Sequence, residues 1–480
     1  MMLRFISSFL LLLSLGITSC LSPHTENVRP DALAFAPLQL VVPEIKPIVL
    51  ANGVHLYLLE DRELPLIQMT GMIGVGNIND SDDKTGQGEL FAALLSEGGA
   101  GERGADAFEE YLESLAINLS ADIDPYSTTL RLSLLSEDLD AGLQILDDLL
   151  RRPRFDPKRL ELSKRQMIEA IRRQNDNPQS IAQRVFNANV YGDHPFGQTP
   201  AVATVELVER EDLVDFHRTY FTPENLYLAI SGDFDRAELE QKIRVLLADW
   251  EQGRAMPVEI PALTESPVPA ILVAEKEIPQ TTVMVGSVGI SKDDPDLLTV
   301  QVMNAILGGS GFNSRLMREI RSNRGLAYSV YSYYAIGRRL PGSFVASGET
   351  KNESAMLMVS LMLDEIEKIR TELVSEEELE LAKESRINSF VFAFTDSHDV
   401  LTQQLRLDFF DYPPGYLQTY REKITAISRE DILRVAQKHL LPKEMVIVLV
   451  GQPDQYEAAA ENLQRPIKIL PQVELPGVSR

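Results

Sequence analysis

Residues 208–235, VEREDLVDFHRTYFTPENLYLAISGDFD, line up without a gap on residues 427–454, ISREDILRVAQKHLLPKEMVIVLVGQPD. Arg210, Glu211, Asp212, Pro223, Gly232 and Asp235 fall on Arg429, Glu430, Asp431, Pro442, Gly451 and Asp454. Each copy reads as a capped amphipathic helix, a proline turn and an apolar strand ended by glycine. A chain that repeats such a unit is constrained to two copies of one domain, and 480 residues exceed what a single core organises. PAILVAEKEIPQTTVMVGSVGI likewise resembles IVLANGVHLYLLEDRELPLIQMTGMIGVG in shape. The expected boundaries are one domain over 44–252, a linker over 253–266 that overlaps the Pro-rich hinge MPVEIPALTESPVP, and a second domain over 267–480.

Within the first domain, apolar runs flank Asn52-Gly53, which predicts a hairpin. Helices are expected over 88–97, in ADAFEEYLESLAI and in LDAGLQILDDLLRR, with a strand pair through LSADIDPYSTTLRLSLL between the last two. Asp156 before Pro157 is an N-cap followed by proline in the first turn, and it predicts a long helix through Arg173. Helices mixed with antiparallel strands make the fold class α+β, layers of helix on sheet.

The first residues read as an address. MMLRFISSFLLLLSLGITSC places Arg4 before an apolar run too short to span a bilayer and ends in small residues, as a secretory signal does over 1–19. Ile17-Thr18-Ser19-Cys20 resembles the bacterial lipobox, so Cys20 is the expected lipid acceptor. It is the only cysteine, which excludes a disulfide within the chain. Residues 20–43 are Pro-rich and aperiodic, a tether. Leu21 follows where an aspartate would resemble an inner-membrane retention signal, so the expected location is the outer membrane, facing the periplasm. A formal charge of -25 opposes general affinity for nucleic acid.

Two longer stretches carry a family resemblance: YGDHPFGQTPAVATVELVEREDLVDFHRTYFTPENLYLAISGD and LGGSGFNSRLMREIRSNRGLAYSVYSYY. Over nearly all of residues 44–455 the chain resembles the insulinase or pitrilysin-type zinc peptidases, which include the mitochondrial processing peptidase. The resemblance implies two homologous sandwich domains, mostly antiparallel sheet with packed helices, forming a clam-shell around unfolded peptides. It also implies an inverted zinc motif H-x-x-E-H on a first-domain helix, completed by a later glutamate.

Here the motif positions hold Glu89, Ala92 and Ala93. Zinc needs two imidazoles one helical turn apart and a carboxylate for the bound water, and alanine supplies neither. None of the six histidines, His24, His55, His194, His217, His398 and His439, pairs with another at helical ligand spacing. No metal or other cofactor is therefore expected in this chain. Glu169 sits about where the third ligand would fall, as a vestigial ligand or as a solvated helix-face acid.

By the same resemblance, Arg321 and Tyr328 in RSNRGLAY have the spacing of the arginine and tyrosine with which active relatives hold the substrate carbonyl. A guanidinium fork and a phenol are suitable donors to an oxyanion. Arg318 and Arg324 are rivals for the arginine role, and period-two alternation puts Tyr328 and Val330 on one strand face. Gly308, Gly309 and Gly311 resemble a family loop but fit neither a phosphate loop nor a nucleophile elbow.

In two-chain members one subunit carries H-x-x-E-H and the other the arginine and tyrosine. The expectation is a zinc-less lipoprotein subunit of a heterodimeric metalloendopeptidase, partnered by a homologous zinc-bearing chain and acting on short or unfolded peptides. The alternatives are a non-catalytic scaffold of the same fold and an enzyme working alone through a site the sequence does not display.

Overall fold

The computed structural model describes residues 45–251, 260–263, 267–392, 394–456, 463, 465–471 and 475. The leader, Cys20, the tether and most of the 253–266 linker lie outside the described residues.

Each half of the sequence builds a six-stranded sheet. The first contains β1 (Ile48–Val49), β2 (His55–Glu60), β3 (Leu66–Ile73), β4 (Asn118–Ile123), β5 (Thr128–Leu135) and β6 (Leu226–Gly232), in the order β1-β2-β6-β3-β5-β4. The second contains β7 (Ile271–Glu275), β8 (Gln280–Val288), β9 (Val330–Ala335), β10 (Ser343–Lys351), β11 (Val446–Gly451) and β12 (Ile467–Leu470), in the order β12-β7-β11-β8-β10-β9. Five positions correspond, and each sheet holds its parallel pair at the same place, β2 on β6 and β7 on β11. The outermost strands differ: β1 is antiparallel to β2, whereas β12 lies parallel on β7. The fold is thus α+β and duplicated.

Local chemistry sets the connections. Asn52-Gly53 turns the β1–β2 hairpin, with Gly53 at φ +100°, a region where a side chain is strained. Asp156 caps the helix Pro157–Arg173 by accepting from the backbone N–H groups of Lys158 (2.8 Å) and Arg159 (3.1 Å). The repeat also reaches further than its most similar stretch. In the same gap-free register Pro157–Arg173 falls on the helix Glu376–Val391, and Pro178–Tyr191 falls on Ser397–Phe409.

The central strand β11, VIVLVG, is apolar throughout because both sheet faces are covered. In β11, Ile447 and Leu449 enter the core beneath the helices of the second half, while Val446, Val448 and Val450 point the other way. Against that second face packs Pro178–Tyr191, a helix of the first half, through Ile181, Ala182, Val185 and Phe186. The counterpart crossing helix, Ser397–Phe409, returns from the second half to cover Tyr57, Met72 and Ala229 of the first sheet with Leu401, Leu405 and Phe409.

Each half therefore closes its sheet with a helix of the other. At roughly 1.5–3 kcal/mol for each large aliphatic or aromatic side chain buried, the exchange joins the halves by many kcal/mol before entropy is counted. Polar clamps fix its register. The Tyr57 hydroxyl donates to Asp408 Oδ2 at 2.8 Å, and the His398 imidazole lies between Thr70 Oγ1 and Ser231 Oγ, 2.8 Å from each.

Candidate functional site

The degenerate motif lies on the helix Gln87–Glu97, entered through Gly86 at φ +105°. Asp80 organises that entry by accepting from the N–H groups of Gly86 (2.8 Å) and Gly88 (2.9 Å). Burial, and then the charge of Glu89, raise the Asp80 carboxyl to about 7 against those hydrogen bonds. Glu89 Oε1 accepts from Asn77 Nδ2 at 3.0 Å, while its Oε2 is buried without a hydrogen-bond partner. Ala92 is buried in the core and Ala93 is half-buried against it. Glu169 is exposed, and it accepts from Arg173 Nε of its own helix at 2.8 Å. The geometry at Glu169 is that of a helix-face acid.

These residues do not fit zinc. One carboxylate oxygen, two methyl groups and a glutamate held by arginine cannot assemble three ligands. The one grouping of three metal-type side chains among the described residues, Asp294, Asp296 and His439, does not fit either. Arg434 donates to Asp296 Oδ1 at 2.8 Å, Lys438 donates to Oδ2 at 2.8 Å, and His439 Nε2 lies 3.0 Å from Oδ2. Two cations already fill the place of an ion. Their hydrogen bonds hold the Asp296 carboxyl far below its usual value although burial pushes it up.

Beside the motif helix runs β4, an edge strand paired only with β5 among the described residues. Leu119, Ala121 and Ile123 lean on the core; Asn118, Ser120 and Asp122 are exposed. Between β4, the motif helix and Pro157–Arg173 opens a cavity of about 400 Å³, lined in part by Ser96, Leu119, Leu162 and Gln166.

In the second half the structure brings Arg321 and Tyr328 together. Arg321 lies in a π-helical turn, Met317–Asn323, with its guanidinium carbon 4.7 Å from the Tyr328 ring centroid. On another ring, Phe312, it sits at 4.6 Å. Its rivals are engaged: Arg318 pairs with Glu378 at 3.0 Å and Arg324 with Glu319 at 2.7 Å. Arg321 has no carboxylate within ion-pair distance among the described residues.

The alternation expected for Tyr328 and Val330 fails. The strand begins at Val330, which is fully buried, whereas Tyr328 precedes it and is 85% exposed. Phe312 was invisible as a site residue because a phenylalanine after GGSG has no signature of its own. Gly308 has a packing role: a Cβ there would come within 2.4 Å of Ser332 N, where Asn304 and Ser332 clasp helix to strand. A cavity of about 490 Å³ opens beside Phe312, bounded also by Arg318, Glu378 and Leu381.

Two family models match the chain in tandem: "Insulinase (Peptidase family M16)" over residues 69–202 and "Peptidase M16 inactive domain" over residues 208–386. The chain belongs to the insulinase (M16) family. A Helicobacter pylori protein named "Non-peptidase homolog YmxG" is 27% identical over 385 residues, covering 79% of this chain and 87% of that one. The "Uncharacterized zinc protease ML0855" of Mycobacterium leprae is 24% identical over 423 residues, 85% of this chain and 92% of its own. Among solved structures, a peptidase M16 inactive domain from Pseudomonas fluorescens superposes with TM-score 0.78 at 26% identity, covering 85% of this chain and 98% of that one. A Helicobacter pylori protease matches in fold, with TM-score 0.76 at 16% identity over 86% of this chain and 100% of the other. This chain is therefore an M16 homologue whose motif helix lacks every imidazole the family's zinc site requires.

Proposed function

We propose that this chain is the zinc-less subunit of a two-chain M16 endopeptidase. It binds an extended peptide and supplies Arg321 and Tyr328 to the carbonyl oxygen at the bond to be cut. Zinc belongs to a homologous partner with H-x-x-E-H. The observation that carries the reading is the contrast between the halves: alanines where metal chemistry would be, and an arginine left without a carboxylate between two exposed rings. An aromatic-stacked guanidinium keeps its fork of N–H donors available, and a phenol beside it adds another. The unpaired side of β4 suits a peptide that adds as a strand, recognised chiefly through its backbone.

The test is to purify this chain, a zinc-bearing homologue and their mixture, and assay peptide cleavage together with zinc content. Cleavage is expected in the mixture alone, with Arg321→Ala lowering kcat on the order of a hundredfold, the usual weight of one oxyanion donor. Full activity in an Arg321→Ala/Tyr328→Phe mixture overturns the assignment. A second reading, a peptidase-like scaffold, draws on the relative named a non-peptidase homologue. It predicts a stable complex in which neither chain gains activity. Lipidation at Cys20 and outer-membrane anchoring belong to the same proposal, tested by fractionating cells that express Cys20→Ala.

A further inference from the structure

A basic cluster lies where the two halves meet, on the sheet face that carries the second crossing helix. Arg131 on β5 is the cross-strand neighbour of Thr70, which bonds His398 at the start of that helix. Arg406 lies two turns further along the same helix, and Phe410 one turn beyond Arg406. Over the Phe410 ring stands Arg338, its guanidinium carbon 5.3 Å from the centroid, brought there by the β9–β10 loop. That loop is tied to the first half by the N–H of Leu340 donating to the Tyr126 hydroxyl at 3.3 Å. Arg338 stands over the ring one turn from Arg406, and the charges of both Arg338 and Arg131 act on Arg406, so guanidinium groups from three separate elements share this region.

The nearby acids are already committed. Asp122 pairs with Arg131. Asp124 accepts from Tyr126 N and Ser127 N at 2.7 Å and from Ser127 Oγ at 2.9 Å, so its own turn uses both oxygens. Asp411 is held by Arg339, while Asp396 caps the crossing helix and Asp399 is bonded by Thr395. Arg338 donates to the Tyr412 hydroxyl at 3.0 Å, and neither Arg338 nor Arg406 has a carboxylate within ion-pair distance among the described residues. Partial burial, then the charges of Arg338 and Arg131, hold Arg406 below the ordinary arginine value, opposed by the charge of Asp124. Like charges gathered in this way cost free energy, which Asp122 offsets at Arg131 and no ion-paired carboxylate offsets at Arg338 or Arg406.

We infer that Arg131, Arg338 and Arg406 form a recognition site for carboxylate groups of an acidic peptide segment, with Arg338 and Arg406 as the open donors. The inference rests on the peptide-binding reading above and adds the substrate class. Carboxylate matches the planar guanidinium fork, and peptide is the source because the cluster adjoins β5, which leads to the β4 edge.

The experiment measures fluorescence anisotropy of three labelled decapeptides on the purified chain: four glutamates in a Ser/Ala background, four glutamines at the same places, and four phosphoserines. The glutamate peptide is expected to bind on the order of tenfold tighter than the glutamine peptide at low salt, with the preference shrinking at higher salt. Arg338→Gln/Arg406→Gln should erase that preference and leave the glutamine peptide unchanged. Both side chains are exposed, and far-ultraviolet circular dichroism checks that the variant folds. Equal binding of the glutamate and glutamine peptides, or a preference that survives the double substitution, overturns the site and leaves the peptide-binding reading standing. Binding of the phosphoserine peptide alone overturns the carboxylate assignment. Failure of all three peptides to bind overturns both.

Discussion

His398 gives the exchange of helices a measurable pH signature. Its ring is enclosed between Thr70 and Ser231, both nearly fully buried. Burial holds its pKa down to about 4 from 6.5, assisted by Arg131 and opposed by Asp396 and Asp399. His217, whose Nε2–H donates to the Leu150 carbonyl from within an aromatic cluster, is likewise held at about 4 by burial. Between those values the unfolded chain binds more protons than the folded one, so stability falls as pH falls. From pH 7 to pH 5 each histidine should remove about 2 kcal/mol, most of it below pH 6.5. The perturbation is His398→Leu, which deletes one titration and leaves two buried hydroxyls without their partner, at a cost of about 2–4 kcal/mol at pH 7. Urea unfolding followed by circular dichroism at pH 7 and pH 5 measures both terms. Wild type should lose about 2 kcal/mol more than the variant across that interval. Identical pH dependence in the two proteins would refute a buried neutral imidazole at the crossing.

Asp80 works in the opposite sense: its folded pKa of about 7 lies above 3.8, so its contribution to stability is lost as pH rises through 7. Asp80→Asn should remove on the order of 2 kcal/mol of that loss between pH 5 and pH 8, seen as a flatter alkaline limb in the same titrations. A Cβ at Gly286 would lie 2.2 Å from the Phe344 carbonyl oxygen and 2.9 Å from the Phe186 ring, so Gly286→Ala should destabilise by about 1–3 kcal/mol. Phe186→Leu in addition should not restore it, because the carbonyl cannot move away; full recovery in thermal unfolding would contradict this. Glu378→Gln weakens the bidentate partner of buried Arg315 and should cost several times more than Arg159→Gln, whose partners Asp106 and Glu109 are exposed; roughly 3 kcal/mol against less than 1 is expected by calorimetry.

Much of this architecture was legible in residues. The repeat announced the duplicated sheets, Asn52-Gly53 the first hairpin and Asp156-Pro157 the long helix. The crossing helices were not legible, although Pro178–Tyr191 and Ser397–Phe409 are repeat counterparts, because their apolar stripes say that they are covered and not by which sheet. A clue lay in VIVLVG, whose unbroken hydrophobicity demanded cover on both faces. At the site, the missing imidazoles were plain from spacing alone. The stacking of Arg321 on Phe312, and the meeting of Arg131 with Arg338 and Arg406, depend on contacts between distant segments that no local pattern encodes.

The register of the repeat also shows how two like halves avoid pairing wrongly. LELSK at 160–164 falls on LELAK at 379–383, so the buried leucines and the lysines are kept while the residue just before them changes sign, from Arg159 to Glu378. Arg159 meets acids, Asp106 at 3.0 Å and Glu109 at 2.5 Å; Glu378 meets bases, Arg315 at 2.8 Å and Arg318 at 3.0 Å. Were either long helix to dock in the other half during folding, its apolar side would still fit and its charge would face like charge. Buried Arg315 would then oppose Arg159 without a counter-ion, at a cost of several kcal/mol. The crossing helices carry no such filter in their aliphatic contacts, and there the discrimination rests on directed polar bonds, Tyr57 to Asp408 on one sheet and Tyr333 to Gln183 on the other. Duplication supplied two interchangeable hydrophobic frames, and the polar residues laid over them made each helix belong to one sheet.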